Sequence, residues 1–75
     1  MTRLNRNTIE VLFEFRRVNE RSVRVVAIDP ITRTEVVMIG DLRQGEATLK
    51  RLATQKLQYV LKKKMAAAEN EFKNR

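Results

Sequence analysis

The side chains in this chain that could do chemistry are mostly cations. Lys50, Arg51, Lys62, Lys63 and Lys64 lie on one C-terminal segment, and Arg21 and Arg33 lie in two earlier turns. Cations at such spacing suit phosphate oxygens, because each neutralised phosphate releases a bound counterion. Aromatics interleaved for base stacking are missing: Phe13 and Phe15 belong to the inward side of a strand, and Tyr59 stands alone. The rest of the inventory argues against catalysis. There is no His and no Cys, and the one serine, Ser22, falls in a hairpin turn. Nucleophile–base chemistry needs a nucleophile, a base and an orienting group. Metal sites need clustered ligands, whereas these acids are spread singly apart from Glu69 and Glu71. Gly40 and Gly45 fit neither a phosphate loop nor a dinucleotide fingerprint. The expectation is a protein that is no enzyme and carries no cofactor and no metal.

The elements that must position these cations follow from hydrophobic periodicity. Residues 9–18 alternate, with Val11, Phe13 and Phe15 on one face and Leu12, Glu14, Arg16 and Val18 on the other. Residues 22–29 alternate again, with Val23, Val25 and Ala27 opposed to Arg24, Val26 and Ile28. Asp29-Pro30 stops this strand, because proline lacks an N–H and restricts the residue before it. Residues 34–40 form a third strand, with Val36 and Met38 opposed to Val37 and Ile39. Glu10, Glu14 and Glu35 are expected to oppose Arg16 and Arg24 across the strands. A helix then begins between Asp41 and Glu46. Asp41 and Gln44 have capping-box spacing, while Gly45 favours a start just after itself. Leu49, Leu52, Ala53, Leu57, Val60, Leu61 and Met65 form its apolar stripe. The fold class is α+β: a three-stranded antiparallel meander and one long helix packed on one face, β-β-β-α.

That architecture leaves a surplus. The helix can cover only the face carrying Val11, Phe13, Phe15, Val23, Val25, Val36 and Met38. Leu12, Val18, Val26, Ile28, Val37 and Ile39 sit on the reverse face. A contiguous apolar patch of this kind marks a contact site. A second copy of the chain is the simplest cover, since two-fold dimers are the commonest closed assemblies. The chain therefore reads as a homodimeric interaction module, joined through this reverse face with those six residues at the interface, or else through an edge strand. Nucleic-acid (RNA) binding through the helix cations and turn arginines is the alternative.

Seventy-five residues make one domain. A core this small is marginal alone, which also favours oligomerisation. The expected division is an arm over 1–8, a domain over 9–65, and a helix extension or frayed tail over 66–75. Sixteen Lys+Arg against nine Asp+Glu leave a net charge of +7, which attracts nucleic acid or an acidic protein partner. The absence of cysteine suits a reducing cytoplasm. The first eight residues carry Arg3 and Arg6 but no apolar run, so no secretory signal is expected. Nor does any run approach the roughly 20 apolar residues of a membrane helix.

Two resemblances follow. Lys50-Arg51-Leu52-Ala53-Thr54 resembles the lysine-rich motif of double-stranded-RNA-binding domains, with Thr54 departing from the third basic position. Three strands and a basic helix over residues 10–64 match the back of that domain, and its first helix has no counterpart. The resemblance implies phosphate contacts from Lys50 and Arg51. More of the chain resembles a family of short alphaproteobacterial proteins of unknown function. The similar segments are Glu10–Arg16, Ala27-Ile28-Asp29-Pro30, Thr34-Glu35-Val36, Gly45-Glu46-Ala47 and Lys56–Leu61. Ile31 and Arg33 stand where that family's turn has small residues and glycine. This resemblance implies a bacterial cytoplasmic origin and brings no activity with it.

Overall fold

A computed structural model describes residues 10–73, with side chains placed as far as Glu69. Three strands, β1 (Leu12–Arg17), β2 (Ser22–Asp29) and β3 (Thr34–Asp41), precede a short 3-10 turn at Leu42–Gln44 and the helix α1 (Glu46–Lys73). The sheet is antiparallel in the order β1-β2-β3. The expected β-β-β-α architecture is the observed one. The arm expected over 1–8 lies outside the described residues, as do any contacts of the Phe72 side chain. Residues 66–73 continue α1.

Each turn has a local chemical cause. Between β1 and β2 the Asn19 carboxamide oxygen accepts from the backbone N–H groups of Arg21 and Ser22, both at 2.8 Å. Arg17 Nε clamps the same turn through the Asn19 carbonyl at 3.0 Å. Between β2 and β3 the Asp29 carboxylate accepts from the Ile31 N–H at 3.2 Å and from the Thr32 hydroxyl at 2.7 Å. Arg33 closes this turn at φ 62°, in the left-handed region that glycine occupies without strain. Small residues and glycine suit such a turn for that reason.

Both sequence signals for the helix start are real, and they act on successive elements. Asp41 and Gln44 form a capping box around the 3-10 turn. Gly45, at φ 87° and ψ 155°, then redirects the chain in a conformation open essentially to glycine alone. The α-helix follows at Glu46.

The core is the seam between α1 and the sheet: Leu49, Ala53 and Leu57 against Val23, Val25, Ala27 and Val36. α1 packs on β2 and β3 rather than on the sheet's midline. Two expectations need correcting in consequence. Alternation places Phe15 in the bed under the helix, yet β1 lies to one side and Phe15 stays 38% exposed. Met65 was assigned to the apolar stripe, yet it is 72% exposed. The reason is length. A helix of 28 residues spans about 42 Å, while an eight-residue strand spans about 26 Å, so the last turns of α1 project past the sheet.

The two turn aspartates titrate with the fold. The Thr32 hydroxyl holds the Asp29 carboxyl below its ordinary value of 3.8; burial opposes this and the Ile31 N–H supports it. The Arg43 guanidinium, then the Arg43 N–H, do the same for Asp41. Lowered folded-state values mean that this stability is present above the unfolded value and lost as pH falls through the folded one. The melting temperature should therefore fall on acidification below about pH 3.8. The fall should be smaller in Asp29→Asn and Asp41→Asn, which thermal melts at neutral and acid pH will show.

Candidate functional site

Strand register places the reverse-face residues in three rows across the sheet. One row is Leu12–Ile28–Glu35, the next Glu14–Val26–Val37, and the third Arg16–Arg24–Ile39. Val18 continues the face past the end of β1. The six residues expected at a dimer contact thus share one surface, with Val26 at its centre. Their exposure is uneven. Ile39 is 61% exposed, and Leu12, Val18 and Val37 are also open, while Val26 is already 94% covered by its neighbours at 6% exposure. Among the described residues no element packs over this face.

The charges on this face depart from expectation. Arg16 lies directly opposite Arg24, Glu14 opposite Val26, and Glu35 opposite Ile28. The acids therefore do not oppose the arginines as sequence spacing suggested, because the turn at Asn19 sets a register that alternation alone does not specify. Two like charges side by side on neighbouring strands are destabilising. Acid and base also segregate along the strands: Glu14 and Glu35 lie toward the Asp29–Arg33 turn, and Arg16 and Arg24 toward the Asn19 turn.

The cations expected to meet nucleic acid fall into two groups at opposite ends of the sheet. Arg21, Lys50 and Arg51 lie near the start of α1, where the Arg21 carbonyl accepts from the Leu42 N–H at 2.8 Å. Arg33, Lys62, Lys63 and Lys64 lie at the far end, since Lys64 reaches Thr34. Three of these cations have structural partners. Lys50 Nζ stands 5.5 Å from the Phe13 ring centroid and 3.6 Å from Glu46 Oε1. Lys64 Nζ donates to Thr34 Oγ1 at 3.2 Å. The Thr32 hydroxyl gives its single proton to Asp29, so the 2.8 Å Thr32–Thr34 bond is donated by Thr34. Lys64 thus heads a relay running through two threonines to the Asp29 carboxylate, which ties α1 to the second hairpin. Lys63 sits over the Tyr59 ring at 5.1 Å. Arg21, Arg33, Arg51 and Lys62 are exposed.

The contact of one helix lysine is not foreseen by sequence reasoning. Lys56 Nζ donates to the Val37 carbonyl at 2.6 Å, on the outer edge of β3. Lys56 and Lys64 are two i, i+4 steps apart along α1, and a basic pair flanking the apolar stripe at that spacing was the available signal. Lysines of this kind protect a sheet edge from further pairing.

Among the described residues no three acidic, histidine or cysteine side chains gather as a metal site. An open, shallow depression on the surface of α1 is bordered by Gln55, Gln58, Tyr59, Leu61, Lys62 and Met65, all from that one helix. Among the described residues no helix is long and apolar enough to cross a membrane.

Comparison with curated proteins and with solved structures finds no match to this chain. A family profile does match, over residues 8–64, from just before β1 to the point where α1 leaves the sheet. The chain belongs to the family described as a domain of unknown function (DUF6898).

Proposed function

We propose that this protein is a small non-enzymatic interaction module that works as a homodimer, with the helix-free sheet face as the contact. The observation that carries this reading is the open apolar surface of Leu12, Val37 and Ile39 around Val26, with acid at one end and arginine at the other. A two-fold axis across the strands reverses their direction, which lays the Arg16–Arg24 end of one copy over the Glu14–Glu35 end of its partner. One strand of six residues and two of eight offer a footprint on the order of 350 Å². This is well under the roughly 800 Å² per partner of a standard interface. The face contact is accordingly weak, in the micromolar range or above.

Light scattering across a dilution series tests it. Wild-type protein should approach twice its monomer mass at high concentration, and Val37→Lys/Ile39→Glu should remain monomeric while melting normally. Both sites are exposed, so these changes spare the core, which Val26→Lys would not. A wild-type monomer at every concentration refutes the reading.

Binding of polyanions, RNA first, is a second reading, favoured by exposed Arg33 and Lys62 at the end of the sheet that carries the β2–β3 turn. It predicts mobility shifts with duplex RNA that fade steeply with salt, and weaker shifts in Arg33→Ala/Lys62→Ala. No shift at low salt would exclude it.

A further inference from the structure

The two outer edges of the sheet are treated differently. At β3 the outward carbonyl of Val37 is occupied by Lys56 Nζ. β1 has no such guard: among the described residues no side chain donates to its outer backbone, and α1 packs on β2 and β3. We propose that the β1 edge is a second self-association surface, which pairs antiparallel with β1 of another copy about a two-fold axis at Phe15. This goes beyond the face contact and uses the strand farthest from Val37 and Ile39.

The hydrogen-bond phase of the sheet makes the edge competent. Val18 N–H donates to the Ser22 carbonyl at 2.9 Å, and Leu42 N–H to the Arg21 carbonyl at 2.8 Å. Antiparallel pairs alternate between bonded and non-bonded. With the observed registers, even-numbered residues of β1 therefore bond to β2. Phe13, Phe15 and Arg17 then point their N–H and C=O groups outward. The same phase turns the Val37 carbonyl outward on β3, where Lys56 meets it.

The side chains choose the register. Centred on Phe15, the pairing sets Phe15 against the partner's Phe15, extending the aromatic stack that Phe13 and Phe15 already form at 6.3 Å. Phe13 falls opposite the partner's Arg17, Leu12 opposite the partner's Val18, and Glu14 opposite the partner's Arg16. The last pair supplies the counter-charge that the opposed Arg16 and Arg24 lack within one copy. Shifting the centre to Glu14 or Arg16 would instead set like charge against like. Pairing at Phe15 yields a six-stranded sheet with both helices on one side, and it doubles the open reverse face.

Two measurements test the proposal on the full chain. Amide hydrogen exchange should show the outward N–H groups of Phe13, Phe15 and Arg17 slowed at least about tenfold as concentration rises. Phe15→Cys, the only thiol in the molecule, should give a disulfide-linked dimer on mild oxidation with diamide. Both signals should survive Val37→Lys/Ile39→Glu, which separates this edge from the face contact. Unprotected outward amides and no cross-link at concentrations where the protein is dimeric would overturn the edge and leave the face standing. A monomer under all conditions, or protection independent of concentration, would overturn it as well.

Discussion

Leu57→Ala should cost about 3–5 kcal/mol, enough to leave the domain largely unfolded at 25 °C. Leu57 is 0% exposed and is the last of the three buried α1 residues in the seam with the sheet. Its neighbours there are small or branched: Ala27 and Ala53 are also fully buried, and Val25 and Val36 are held in strands. Alanines on both sides of the seam already bring helix and sheet close, so little remains that could collapse into the space a lost leucine leaves. Cavities that cannot collapse set the upper end of the cost. Urea titration followed by circular dichroism should show a large fall in the midpoint. A loss below about 1 kcal/mol would mean that the helix is not seated on this residue. Met65→Ala, on the projecting part of the same helix, should change stability by no more than about 0.5 kcal/mol.

Gly40→Ala should cost about 1–3 kcal/mol, against the usual direction for that substitution. Replacing glycine in an extended strand normally stabilises, because the unfolded chain loses freedom. At Gly40 a Cβ would collide with Cδ2 of Leu49. Leu49 is buried at the first turn of the seam, 3% exposed, so its side chain is packed on all sides and has little room to give. Either Leu49 leaves its packed position or the helix tilts off β3, and the expected cost outweighs the entropy gained. Thermal melts should show a drop of roughly 4–8 °C for each kcal/mol in a domain of this size. An unchanged or raised melting temperature would show that Leu49 yields at no cost.

Much of this architecture is written in short-range pattern. The boundaries of β2 follow from period-two alternation and from Asp29-Pro30. Asp29 and Asp41 act in a turn and a cap as their types suggest. What pattern could not convey is lateral placement. Alternation assigns Phe13 and Phe15 to the helix side of β1, but not whether the helix reaches that far across the sheet. It cannot foresee that Val26, on the helix-free face, is closed over by its neighbours on flanking strands. Nor does it foresee the opposition of Arg16 and Arg24, which depends on where the Asn19 turn sets the register. The roles of Lys56 and Lys64 were hidden for a related reason. A lysine on a helix flank looks like any solvated charge until the strand beneath it turns out to carry an unpaired carbonyl or a threonine hydroxyl.

The order of the elements along the chain is also their order in space: β1 beside β2, β2 beside β3, and α1 folded back over the last two. Almost every loop that must close is therefore short, which places this domain among the quick folders of its class. The β2–β3 hairpin and α1 share nearly all of the buried apolar surface, so they are expected to form the kinetic nucleus. β1 joins late, and changes confined to it should speed unfolding while leaving the folding rate almost untouched.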